Sequence, residues 1–172
     1  MRQPGRRRTA ARKTAPAAHA AAVRAVLKDF RVIFSSVRKH FAWLEHACGI
    51  GGAQVWAMAV LAARPGLRVG DLAASLSIHQ STASNLLEKL LRRRLARRRR
   101  DGRDRRVVRL ELTQKGRALL RRAPRPLEGV LPDALARLPH RALARLDTDL
   151  RRLIRTMQVR DGRAAYLPLA DL

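Results

Sequence analysis

The chain has 172 residues, of which 47% are apolar and only 3% aromatic; this suits one compact domain or a small two-part domain, and the dominance of Leu and Ala predicts a mainly helical fold. Lys and Arg number 38 against 13 acidic residues, a formal net charge of +25, which points to a polyanionic partner, nucleic acid before a membrane surface. A single cysteine, Cys48, excludes an intrachain disulfide; no apolar run nears the roughly 20 residues a bilayer span needs, and no apolar signal core follows the basic start, so the expectation is a soluble cytoplasmic protein with no membrane partner.

Residues 1–16 carry Arg2, Arg6, Arg7, Arg8, Arg12 and Lys13 without an acidic residue and read as a disordered basic arm. From Ala17 to Ala47 the pattern is helical: Val26, Phe30, Ile33, Phe34, Val37, Phe41 and Leu44 recur at spacings of three and four. Gly49 is the stop signal. A second helix fits Ala53 to Ala63, ended by Pro65-Gly66. These N-terminal helices, residues 17–65, form the first segment after the arm.

Residues 66–113 follow a different plan. Leu67 to Val69 is extended, Gly70-Asp71 opens a helix from about Leu72 to Leu76, and Ser77-Ile78-His79 is a tight turn into a longer helix from Gln80 to Arg93. Leu95 to Arg100 and Arg106 to Leu112 read as strands, with Val108, Leu110 and Leu112 alternating at period two and Asp101-Gly102 as the turn. Thr113 caps the next helix at Gln114. Residues 114–172 continue as helices to about Ala123, from Leu127 to Leu138 and from Arg141 to Met157, then a tail without a period. Leu143, Leu146, Leu150, Leu153, Ile154 and Met157 form a second apolar stripe.

The segment Asp71 to Arg93 carries the functional signal. At about 100° per residue, Ala83, Leu86, Leu87, Leu90 and Leu91 share one arc, and Ser81, Ser84, Asn85 and Glu88 share the opposite one. Small polar side chains near a helix N-terminus donate to phosphates or read base edges, so Gln80, Ser81, Thr82, Ser84, Asn85 and Lys89 are the candidate DNA contacts of a helix-turn-helix. Between Arg92 and Arg109 nearly every polar residue is Arg, opposed by Asp101 and Asp104. A hairpin wing so charged can place Arg in a minor groove, which adds Arg100, Arg103, Arg105 and Arg106. An amphipathic surface helix and a charged edge strand are the plain alternatives; they leave the clustering of charge beside this helix unexplained.

At this point the sequence resembles the MarR family of winged-helix regulators, over roughly Phe30 to Met157. The most specific stretch is VGDLAASLSIHQSTASNLLEKLLRRRLARRRRDGRDRRVVRLELTQKG, residues 69–116, with Leu112-Thr113-Gln114-Lys115-Gly116 as the family's Leu-Thr-x-x-Gly entry to the next helix. The resemblance implies a mainly α fold with a small β-wing: a winged helix-turn-helix flanked by N- and C-terminal dimerisation helices. It also implies that Asp104 braces the wing while Arg106 approaches the minor groove. The family often has Gly after the recognition helix; Arg94 stands there, and a left-handed cap without Gly costs about 1 kcal/mol, so a differently shaped helix end is expected.

The function that follows is a sequence-specific DNA-binding transcriptional regulator, a homodimeric repressor released from a palindromic operator by a small ligand; the alternative is a non-specific architectural nucleic-acid binder. The family's effectors, often small anionic aromatics, suggest a site at Ser36, His40 and Trp43 on the first helix with Trp56 on the second, against the plain reading of both Trp as core. The partners are double-stranded DNA, a second copy of the chain and that effector. No nucleophile motif or phosphate-binding loop appears, so no enzyme and no cofactor are expected. His40, Glu45, His46 and Cys48 do not share a helical face as a metal site requires, and nothing near Cys48 activates it as a redox thiol.

Overall fold

The computed structural model describes residues 10–101, 107–158 and 165–169. Among them run seven α-helices and a two-stranded antiparallel sheet, in the order α1 (Ala10–Cys48), α2 (Gly52–Ala63), α3 (Val69–Leu76), α4 (Gln80–Arg92), β1 (Ala96–Arg100), β2 (Val108–Leu112), α5 (Gln114–Arg122), α6 (Val130–Ala136) and α7 (His140–Thr156). The chain separates into two compact units, residues 1–36 and 37–172. No single helix among the described residues is long and apolar enough to cross a membrane.

The described part of the first unit is the N-terminal stretch of α1. The helix starts at Ala10 rather than Ala17 and contains Pro16. Ala, Arg and Lys are strong helix formers, and Pro16 removes only the amide that would bond the Arg12 carbonyl. Residues 10–16, expected to lie in the basic arm, belong to this helix. Phe30 and Phe34 stack with ring centroids 6.0 Å apart, yet Phe34 is 67% exposed, and Val23, Val26, Leu27 and Ile33 are exposed with it.

The second unit holds the core. Leu44, near the end of α1, is completely buried. Gly49 ends the helix as its spacing predicts, at φ +67, with its amide on the Glu45 carbonyl at 2.8 Å. The next helix, α2, lies at the centre: Ala53, Val55, Ala57, Met58 and Leu61 are buried, and it packs on α3, α4, β2 and α5. Leu72, Ala73 and Leu76 of α3 meet the arc of Ala83, Leu86, Leu87 and Leu90 on α4. The turn between them passes through Ser77 at φ +54, with the Ile78 amide on the Ala73 carbonyl at 3.1 Å.

Two helix ends differ from the sequence expectation. The start of α3 is Val69, three residues before Leu72, because the Asp71 carboxylate accepts from the Arg68 amide at 3.0 Å and caps the extra turn. The end of α4 keeps the left-handed form despite lacking Gly: Arg94 sits at φ +57. The Leu95 amide reaches the Leu90 carbonyl and the Arg94 amide the Leu91 carbonyl, each at 2.9 Å. That is the double bond of a Schellman cap, which outweighs the backbone cost of about 1 kcal/mol.

The hairpin pairs Ala96 with Leu112, Arg98 with Leu110 and Arg100 with Val108, so Ala96, Leu110 and Leu112 face the core. Leu67 adds an isolated bridge to Leu110. Thr113 caps α5 as expected, its hydroxyl accepting from the Gly116 amide at 3.0 Å and donating to the Arg94 carbonyl at 2.7 Å. Gly116 is required by close approach, since a Cβ there would lie 2.1 Å from the Leu95 carbonyl oxygen. Gly129 (φ +103) and Pro139 confine α6 to a shorter span than Leu127 to Leu138. The last long helix, α7, has no buried residue.

Candidate nucleic-acid interface

The polar edge of α4 follows from its packing. Four apolar side chains lock one arc into the core, so Gln80, Ser81 and Asn85 must be exposed, with Thr82 and Ser84 half-buried at the margin. The helix ladder begins only when the Ala83 amide reaches the His79 carbonyl at 3.0 Å, and His79 supplies no side-chain cap. The first amides of α4 therefore point outward from the positive end of the helix dipole.

A cleft of about 600 Å3 opens between the start of α3, the wing-side edge of α4 and the hairpin, lined by Gln80, Ser84, Leu87, Arg68, Arg98 and Val108 among others. Gln80 and Ser84, one turn apart, therefore share one side of the helix with Arg98. Ser81, Asn85 and Lys89 form the adjoining row by helical spacing. Lys89 belongs to a separate hollow with Gln54, Arg92 and Arg93, so it stands apart from the wing-side contacts.

The charge of the wing is more closed than its sequence implies. Arg98 donates to Glu88, which ties the hairpin to α4. Arg97 donates to Glu111 at 2.9 Å, and Arg99 approaches the same carboxylate at 3.5 Å. The Arg97 hydrogen bond, reinforced by the charges of Arg97 and Arg99, holds the Glu111 carboxyl below the usual carboxylate range against the opposing effect of burial. Arg109 reaches Asp101 at 2.7 Å and the Gly66 carbonyl at 3.2 Å. The ion pairs across the hairpin, Arg97 and Arg99 with Glu111 and Arg109 with Asp101, join residues eight to fourteen apart in sequence; the opposition of Glu111 to the arginines appears only with the register in hand. Arg100 is exposed at the end of β1. Arg103, Asp104, Arg105 and Arg106 lie outside the described residues.

The suggested effector residues are only partly brought together. The Ser36 hydroxyl donates to the Val32 carbonyl of its own helix at 2.8 Å. His40 is buried and its Nε2 lies 2.9 Å from the Pro126 carbonyl. Its ring meets Trp43 edge-on at 6.0 Å, and Trp43 is exposed. Trp56 is half-buried against the core. Cys48 is half-buried, and burial pushes its thiol up against the opposing charge of Arg122; a redox thiolate needs the reverse.

Residues 49–107, from the end of α1 into the hairpin, match the sequence profile of the MarR family. No curated protein matches the chain by sequence. Solved structures with a similar fold include the S. aureus MepR–DNA complex, at 24% identity over 74% of this chain and 93% of that one, TM-score 0.54. The transcriptional regulator BldR from Sulfolobus solfataricus matches at 23% identity over 77% and 96%, TM-score 0.52. Streptococcus pneumoniae FabT in complex with DNA matches at 21% identity over 79% and 97%, TM-score 0.52. At these identities the likeness establishes the fold, mainly helical with a small β-wing.

Proposed function

We propose that the chain is a homodimeric, sequence-specific DNA-binding regulator of the MarR type, a repressor that a small ligand releases from its operator; the match of residues 49–107 to the MarR family profile supports this reading. The observation that carries the reading is the polar edge of α4. Gln80, Ser81, Ser84 and Asn85 stand at the uncapped end of a helix beside a cleft that includes the wing residue Arg98. Small hydrogen-bonding side chains there read base edges, while the helix end and the surrounding arginines hold phosphates. MepR and FabT, which share the fold, have been captured on DNA, which supports the same use here. Asp104 and Arg106, between β1 and β2 in sequence, complete the proposal as brace and minor-groove contact.

Dimerisation rests on the exposed apolar stripes, Val26, Ile33 and Phe34 of α1 and Leu143, Leu153, Ile154 and Met157 of α7. An effector would use the exposed ring of Trp43 beside His40, with Trp56 as the second aromatic.

Selection of bound duplexes from a random pool tests the reading. A palindromic site is expected, and Ser84→Ala and Asn85→Ala should each relax discrimination at particular positions by about 1–3 kcal/mol while leaving affinity for random DNA nearly constant. Equal binding to all sequences at one fixed salt concentration would instead identify an architectural binder.

A further inference from the structure

The end of the described chain returns to the start of the recognition helix. Tyr166 packs on His79 with ring centroids 4.4 Å apart and planes tilted by 42°, and Pro168, two residues on, is buried. His79 is the N-cap of α4, the residue directly before Gln80. Tyr166 and Leu167 are exposed large side chains outside the buried core cluster.

We propose that residues 165–169 form an internal shield over the N-terminal end of α4 and compete with duplex DNA for it. The competition is steric and follows from the geometry already described. The outward amides of the first turn and the side chains of Gln80 and Ser81 must approach a phosphate backbone for α4 to enter a groove. A tyrosine ring seated on His79 stands at that entrance. DNA then binds only the fraction of molecules in which the segment has lifted, and the apparent affinity falls by that fraction. The inference rests on the proposed use of α4 in DNA binding.

The full-length chain and its Tyr166→Ala and Tyr166→Phe variants separate the possibilities. Against a random-sequence duplex at fixed salt, Tyr166→Ala should bind roughly two- to tenfold more tightly than wild type, the range that one ring pair is worth. Tyr166→Phe, which keeps the ring, should match wild type. Without DNA, the His79 ring resonances should shift in Tyr166→Ala and stay in place in Tyr166→Phe. Addition of DNA to the wild type should move them in the direction set by Tyr166→Ala. Equal or weaker DNA binding by Tyr166→Ala, with wild type binding normally, overturns the shield and leaves the DNA-binding reading intact. Failure of wild type and both variants to bind any duplex overturns the DNA-binding reading, and the shield with it.

Discussion

Two helices of this chain carry nearly the same sequence pattern and end in opposite surroundings. In α4, Ala83, Leu86, Leu87 and Leu90 are buried at a spacing of three and four. In α7, Leu143, Leu146, Leu150, Leu153 and Ile154 keep that spacing, yet none is buried and Ile154 is 52% exposed. The periodicity shows only that each helix has an apolar face; what covers the face is a separate matter. For α4 the cover is α2, α3 and the hairpin of the same chain. For α7 the cover we propose is a second copy of the chain, which leaves the polar edge of α4 as the free surface for DNA.

The sharpest test sets the two leucine rows against each other. Leu87→Ala on α4 should lower stability by about 2–5 kcal/mol, the range for truncating a fully buried leucine, measured by denaturant unfolding. Placing a charge on α7, as Ile154→Asp, should shift the species seen by sedimentation at micromolar concentration from two chains to one, a weakening of association of at least about tenfold. The helical content of that variant should persist at low temperature. If it stays dimeric, or if the wild type is a stable monomer, the faces of α7 and α4 do not differ in the way proposed.

Much of this contrast was legible in the residues. The arcs of α4, the alternation in β2, Thr113 as a cap and Gly49 as a stop each follow from one local rule, and each appears as expected. The errors lie where one residue's conformation depends on a partner further off. The early start of α3 needs the Asp71 carboxylate on the Arg68 amide. The left-handed Arg94 is held by α5, since the Thr113 hydroxyl donates to its carbonyl. The arginines of β1 read as opposed only by Asp101 and Asp104, because Glu88 and Glu111 meet them only after the hairpin has paired. In the candidate interface, Gln80 and Ser84 line the wing-side cleft, and Lys89 lines a separate hollow with Gln54, Arg92 and Arg93.

A smaller effect is expected at the end of α4. Arg94 keeps φ +57 without the freedom of glycine, so Arg94→Gly should raise the unfolding free energy by about 1 kcal/mol. The gain should be the same at low and high protein concentration, because this cap is completed within one chain. A destabilised variant would show that the Arg94 side chain contributes more than its backbone costs.

The smallest effect concerns the pairing of Glu111 with Arg97 and Arg99, which closes part of the wing's charge inside the chain. The hydrogen bond from Arg97 lowers the Glu111 carboxyl in the folded state, whereas the unfolded chain titrates near the ordinary value of about 4.3. Fewer protons are bound by the folded form between those two values, so the pair stabilises the fold above the unfolded value. That contribution is lost as pH falls through the folded value. The arginines are more than half exposed, so the total is of the order of 0.2–1 kcal/mol. Glu111→Gln removes the titration and the ion pair together. Wild type should therefore exceed the variant slightly at pH 7, and the two should converge in acid. Salt should shrink the difference at pH 7, because exposed charges are screened. Should the difference persist unchanged below the folded carboxyl's titration, the pair owes its effect to packing, and the arginines of the wing are freer for DNA than their geometry implies.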